Sequence, residues 1–292
     1  MEPRHRHHPR CFATLFYNDT HPSGQSRRTF VHDEALVRQW VALMLRHTEL
    51  PIFIMHNVDN DAARVLAPFL SSSQLHLRQV DLIVVEPPGT LPWYRLTHTK
   101  LHAWNLPCET AALLDYDGIP LTTPDPIFDE CDAALVREPS SPPLCGVGDV
   151  VTPFRQAKRH DYLNAGVLVV RPSRSVHSWL LREAARDAQL QRARYYAEQG
   201  FFHERAMRWS RLPTGFNLQG MRYGGYWQPQ VVRTAGGRLN ATATDFYLHR
   251  KFFEPGMRIL LLRLGLFECD SPNRTLADAY GRCYTSLSKV AG

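Results

Sequence analysis

Apolar residues recur along the first half of the chain in short blocks that alternate between two periods. Residues 11–17 form a nearly continuous apolar run, the pattern of a strand buried on both faces. A polar stretch over 18–28 separates it from a helical pattern over 33–46. There Leu36, Trp40, Leu43 and His47 fall near one face, with Val37, Val41 and Met44 beside them. The strand signal returns over 51–56, the helix signal over 62–70, and a third short apolar run covers 82–85. A helix over 94–104 precedes the run at 111–114, and a strand over 163–170 is closed by Pro172 before a long helix from 173 to about 194. Strands alternating with helices predict an α/β fold, a mostly parallel central sheet flanked by helices. Beyond residue 200 the pattern weakens to a helix over 198–209, a loop rich in Gly, Tyr and Trp over 220–228, and a short strand ending at His249.

Parallel sheets bind ligands beyond the ends of their strands, where the strand order reverses, so the loops after strands are the places to look for chemistry. Asp115-Tyr116-Asp117 stands in such a loop, directly after the apolar run at 111–114. On an extended segment alternate side chains share a side, so the two carboxylates begin about 7 Å apart and can close on one cation. Asp117-Gly118 is also ordinary turn chemistry. The same spacing in Asp59-Asn60-Asp61, between a strand and a helix opening at Ala62, is read as a helix cap.

Composition changes this picture little. A chain of 292 residues with 44% hydrophobic and 21% charged content can bury a sizeable core in one domain. The net charge of +6 is partly concentrated in Arg4, Arg6 and Arg10 beside His5, His7 and His8, so residues 1–10 are expected to form a solvated basic arm. Arg182, Arg186, Arg192 and Arg194 alternate with Glu183 and Asp187 in the manner of a salt-bridged solvent face, and no nucleic-acid partner is expected. The cysteines at 11, 108, 131, 145, 269 and 283 show no CxxC and no zinc spacing, and reduced thiols are expected. His98 and His102 have helical zinc-pair spacing, but Thr99 stands where a metalloprotease needs Glu.

Asn18, Asn240 and Asn273 begin N-x-Thr sequons, yet the N-terminus lacks a signal-like apolar stretch. The apolar segment 259–267 is broken by Arg263 and is too short to span a bilayer, so a soluble, cytoplasmic protein is expected. That segment either packs on the core or serves a homodimer contact; both readings stay open.

Thr99-Lys100-Leu101-His102-Ala103-Trp104 followed by Asp115-Tyr116-Asp117 resembles the glycogenin-like members of glycosyltransferase family 8. The resemblance continues in order through Thr14 to Asp19, Asp125-Pro126-Ile127-Phe128, Asn164-Ala165-Gly166-Val167, Glu198-Gln199-Gly200, Leu212-Pro213 with Phe216-Asn217, and His249, spanning about residues 11–255. It implies a GT-A fold and transfer, with retention of configuration, from a nucleotide-sugar donor, usually UDP-linked, assisted by manganese or another divalent cation such as magnesium. Asp115, Asp117 and His249 would hold the metal. Tyr17, Asn18, His21, Arg95, Lys100 and Tyr116 would meet the donor, with Lys100 and Arg95 otherwise read as solvated helix cations. Asn164, Glu198 and Gln199 would surround the reacting sugar, with Glu198 standing where the family has Asp. The acceptor, whether glycan, protein or small molecule, stays open.

The resemblance divides a single domain over 11–292 into a donor half at 11–135, an acceptor half at 136–258 and an extension at 259–292. Its clearest departure is His249-Arg250-Lys251-Phe252-Phe253-Glu254-Pro255, where the family has His-x-x-Gly-x-x-Lys-Pro. Lys251, Arg250 and Arg258 are the candidates for the displaced phosphate-binding charge. If no cation replaces it, the alternative is a catalytically impaired protein that binds nucleotide sugars or polyanions.

Overall fold

The computed structural model describes residues 8–17, 27–57, 59–85, 95–116, 118–120, 123–148, 162–189, 198–205, 207–223, 226–229 and 247–249. Strand β1 (His8–Phe16) is followed by helix α1 (Arg27–His47), β2 (Ile52–His56), α2 (Asp59–Leu66) and β3 (Leu75–Gln79). A 3-10 segment (Thr97–Asn105) leads into β4 (Cys108–Leu114) and the short β5 (Gly118–Pro120). Helix α3 (Pro126–Arg137), β6 (Leu144–Gly148), β7 (Leu163–Val170), α4 (Arg174–Gln189), α5 (Glu198–Glu204) and β8 (Ser210–Arg211) follow. The last elements are β9 (Leu218–Tyr223), β10 (Tyr226–Pro229) and β11 (Tyr247–His249).

Seven strands form the main sheet in the order β3-β2-β1-β4-β7-β6-β8, and a second sheet has the order β10-β9-β11-β5. In the main sheet β1 pairs in parallel with both β2 and β4, so the strand order reverses between β1 and β4. The segments leaving those two strands begin at Tyr17 and Asp115, which places both at the switch point. Strand β7 runs antiparallel to β4, so its first residues also come to that edge.

Alternation along β1 builds a core on each face. Phe12 and Phe16 pack with Val37, Trp40, Val41 and Met44 of α1 and with Ile127 and Phe128 of α3. Cys11, Ala13 and Leu15 pack on the opposite face with Leu101 and Trp104, Leu180 of α4, and Phe201 and Phe202 of α5. Of the apolar stripe read along 33–46, Val37, Trp40, Val41, Leu43 and Met44 are buried, and the helix starts earlier, at Arg27.

Several expectations are corrected. Residues 82–85 are not a strand. The Ile83 N–H donates to Thr99 Oγ1 at 3.0 Å and the Val85 N–H to the Arg95 carbonyl at 2.9 Å, so this backbone is satisfied by the 3-10 region instead of a ladder. The third strand is β3, whose backbone pairs with β2. Asp59 and Asp61 lie inside the first turn of α2, where acidic side chains suit the positive end of the helix dipole, and Asp61 faces Arg64 at 3.7 Å. The expected loop at 220–228 includes parts of the antiparallel strands β9 and β10. Trp209 lies beyond α5, and β1 begins at His8, inside the stretch expected to be an arm.

The acidic residues of α4 do not decorate a solvent face. Glu183 approaches Arg205 Nε at 2.9 Å, and the fully buried Asp187 also pairs with Arg205, clamping α4 to the end of α5. His98 is buried edge-on against Phe201, whereas His102 contacts His177 at 3.1 Å, so the two do not act as a zinc pair.

The expectation of reduced thiols is overturned. Cys11 and Cys108 are joined in a disulfide between neighbouring strands, and Cys131 and Cys145 in another between α3 and β6. The partners are 97 and 14 residues apart, with Cα atoms 6.1 and 5.7 Å apart. Local spacing motifs cannot reveal a pairing that only the sheet brings together. Cys269 and Cys283 lie outside the described residues.

Candidate active site

Lys100 organises the site. The 3-10 segment carries its side chain under the edge of the main sheet, where the residue is 7% exposed. Its Nζ lies 2.8 and 3.0 Å from the two carboxylate oxygens of Asp115, 3.0 Å from Glu198 Oε1 and 3.1 Å from the carbonyl oxygen of Ala165. One ammonium thus joins the end of β4, the start of β7 and the first turn of α5. Burial alone would lower the Lys100 pKa, but the charges and hydrogen bonds of Asp115 and Glu198 raise it above its ordinary value. Burial likewise works to raise the Glu198 pKa, and the Lys100 charge, with hydrogen bonds from Thr97 and Lys100, brings it below the ordinary value. Lys100 is not the solvated helix cation of the alternative reading.

The next layer is a backbone irregularity in β7. Its pairing with β6 passes from Gly146↔Leu168 to Val147↔Asn164, so residues 165–167 stand out of that ladder. The backbone polar groups of Ala165 and Gly166 are satisfied by the site instead, while Val167 pairs with Leu114 of β4. The Ala165 N–H donates to Gln199 Oε1 at 3.1 Å, the Gly166 N–H donates to Asn164 Oδ1 at 2.9 Å, and the Gly166 carbonyl accepts the Asp115 N–H at 2.9 Å. Both candidate catalytic amides therefore have their oxygens committed to strand backbone. What Asn164 retains for a ligand is the N–H side of its amide.

Beyond Asp115 the chain turns, with the Gly118 N–H donating to the Asp115 carbonyl at 2.9 Å, and enters β5. Strand β5 pairs with β11 in the register Gly118↔His249, Ile119↔Leu248 and Pro120↔Tyr247. The backbone of His249, 131 positions later by difference in numbering, is thus brought opposite the residue that follows Asp117. Tyr116 packs edge-on against Phe16 at the end of β1, with ring centroids 6.3 Å apart, and Tyr17 is partly buried next to the second core cluster. Arg95 is half-buried at the start of the 3-10 region. Asn18, His21, Asp117 and Lys251 lie outside the described residues. No group of three or more His, Cys, Asp or Glu side chains suited to a metal occurs among the described residues.

Sequence reasoning assigned no role to Asn217, which is 1% exposed and donates from Nδ2 to Asn164 Oδ1 at 3.0 Å. Its position in the Phe216-Asn217 pair was the available signal.

No protein-family model matches the chain, and no curated protein matches it by sequence. Solved structures do. An active-site mutant of LgtC superposes with a TM-score of 0.59 at 12% identity over 96% of this chain and 95% of that one. Mouse xyloside xylosyltransferase 1 in its apo form gives a TM-score of 0.50 at 12% identity, covering 83% of this chain and 98% of that one. The bifunctional glycosyltransferase WbbM gives 0.50 at 13% identity over 75% of this chain, which spans only 41% of WbbM. The chain has a GT-A fold. Within that GT-A fold, Asp115 at the switch point and the β7 irregularity lie at the same end of the paired strands β4 and β7, and the chain passes from Asp115 into β5 of the second sheet, which pairs with β11.

Proposed function

We infer that this chain is a metal-dependent, retaining glycosyltransferase that moves a sugar from a UDP-linked donor to an acceptor hydroxyl. The single observation that carries the reading is the β5–β11 register, which sets His249 against the strand that follows Asp115-Tyr116-Asp117. The GT-A neighbours supply independent support for nucleotide-sugar chemistry.

The donor set fits a divalent cation such as manganese or magnesium. Asp115 keeps a quarter of its side-chain surface exposed while paired to Lys100, so the carboxylate is oriented without being enclosed. Asp115, Asp117 and His249 would hold the cation, and two carboxylates with one imidazole suit manganese better than calcium. When bound, the metal supplies a Lewis acid for the diphosphate that develops charge as the glycosidic bond breaks.

The protein's own groups then divide the remaining work. Lys100 fixes the Asp115 carboxylate and places positive charge beside the leaving group's site. Asn164 offers an N–H donor that orients a sugar hydroxyl, and Gln199 braces the strand beside it through the Ala165 N–H. With Gln199 Oε1 held by the Ala165 N–H, the amide oxygen is occupied and is a poor nucleophile, which favours same-face attack with the departing phosphate taking the acceptor proton. Glu198, tied to Lys100 through Oε1, joins the acceptor-side helix to this charge network.

The compartment is proposed differently from the sequence expectation. Two disulfides support maturation in an oxidising compartment over the cytoplasm. No helix among the described residues is long and apolar enough to cross a membrane.

Incubation with a panel of UDP-sugars and simple acceptors, followed by NMR of the anomeric proton, tests the function. Metal-dependent product with the donor's configuration is expected. An inverted product removes the same-face mechanism, and absence of turnover for every nucleotide sugar removes the transferase reading.

A further inference from the structure

We propose that Asn217 is a positioning residue that sets the Asn164 amide for catalysis, a role that rests on the transferase reading above. Asn217 lies between a 3-10 turn (Thr214–Phe216) and β9, and β9 pairs with β11 in the register Leu218↔Leu248 and Gln219↔His249. Its side chain reaches from the second sheet to β7 of the first. The bond to Asn164 is therefore a polar joint between the two sheets that build the site.

The direction of that joint follows from one unambiguous donor. A backbone N–H can only donate, so the Gly166 N–H at 2.9 Å requires the Asn164 group facing it to be the oxygen Oδ1. Asn217 approaches the same oxygen at 3.0 Å and must present its amide nitrogen. Both acceptor positions of Asn164 Oδ1 are then used, and its Nδ2 is left as the donor for a ligand. The orientation has a cost to Asn217 itself. Its own Oδ1 is buried and has no hydrogen-bond partner among the described residues. Turning the Asn217 amide over would set two oxygens against each other, so the pair is locked with Asn164 Oδ1 on its two donors and Nδ2 turned away from them.

Asn217→Asp tests this directly, because it keeps the shape and replaces the donor with a group whose hydrogen-bonding sense depends on pH. Ionised, the new carboxylate faces Asn164 Oδ1 with oxygen only; protonated, its hydroxyl donates as the native amide does. The expected result at about pH 8 is a kcat at least about tenfold below wild type with KM for the donor nearly unchanged, since misplacement of an orienting group costs rate before affinity. The ratio of variant to wild-type kcat should rise as pH falls towards about 5, where a buried carboxyl takes its proton.

Asn217→Ala provides a second reading, because it also removes the buried unpaired oxygen. It should lower kcat while leaving the melting temperature near wild type. A wild-type kcat for Asn217→Asp at every pH overturns the positioning role. So does a loss constant across pH, or an Asn217→Ala protein that melts earlier at full kcat. A wild-type protein without turnover removes this role together with the transferase reading, whereas an active wild type with an unaffected variant removes this role alone.

Discussion

Replacing Lys100 with methionine is expected to reduce turnover by about two orders of magnitude or more, as loss of a preorganised charge beside a developing anion does. It should also destabilise the fold by about 3–5 kcal/mol, because truncating one member of a buried ionic cluster strands the others. Side-chain exposures of 9% for Lys100 and 6% for Glu198 put this pair well inside the protein, with Asp115 at 25%. The sign of the pH dependence is fixed by the two shifts. The raised Lys100 pKa contributes stability that is present below the ordinary lysine value and is lost only as pH climbs through the folded value. The lowered Glu198 pKa contributes stability present above the ordinary glutamate value and lost as pH falls through the folded value. Lys100 and Glu198 thus stay ionised together between about pH 4.3 and 10.4, the ordinary values for the two groups.

Without Lys100, burial drives Glu198 towards its neutral form, so the stability deficit of the variant should be large at neutral pH and shrink on acidification. Urea denaturation at several pH values measures this. A midpoint within error of wild type would return Lys100 to the status of a surface cation.

The second large effect concerns the covalent link between β1 and β4. Replacing both Cys11 and Cys108 with alanine is expected to lower stability by about 2–4 kcal/mol, the usual range when a disulfide closing a long loop is removed. The bond joins residues 97 apart in sequence and ties the strands on either side of the switch point, so the damage should extend to donor use. Mass spectrometry after alkylation without reduction should find Cys11, Cys108, Cys131 and Cys145 blocked. Free thiols at these positions, or a melting temperature indifferent to dithiothreitol, would contradict both the staple and the proposed oxidising compartment.

Much of the donor half was legible because its signals are local. The alternation of apolar strands with an amphipathic helix over 33–46 led to β1 and β2 within three residues and to α1 except for its first turns, which begin at Arg27, and Asp115 does follow a strand end. Segment 82–85 misled because a short apolar run has no periodicity of its own, and the hydrogen bonds that hold it come from Thr99 and Arg95. The aromatic stretch at 220–228 looked like a loop because β9 and β10 are short strands of a separate four-stranded sheet, and the segment lacks a long apolar run.

The site was legible as residue types but not as connections. Lys100 was expected to face the donor, and its ion pairs to Asp115 and Glu198 depend on strands β4 and β7 being neighbours. Asn217 could be noticed only through the Phe216-Asn217 pair, and its connection could not be read, since its partner lies 53 residues away. The cysteine pairs, too, exist only once the sheet is assembled.

Calorimetric titration of UDP with and without manganese, on wild type and on Asp117→Asn, tests the proposed metal-coupled donor site most directly. Manganese should tighten UDP binding by at least about tenfold, a coupling of about 1.4 kcal/mol, in the wild type and not in the variant. Equal UDP affinity with and without the metal in the wild-type protein would contradict a diphosphate held through a cation at Asp115, Asp117 and His249.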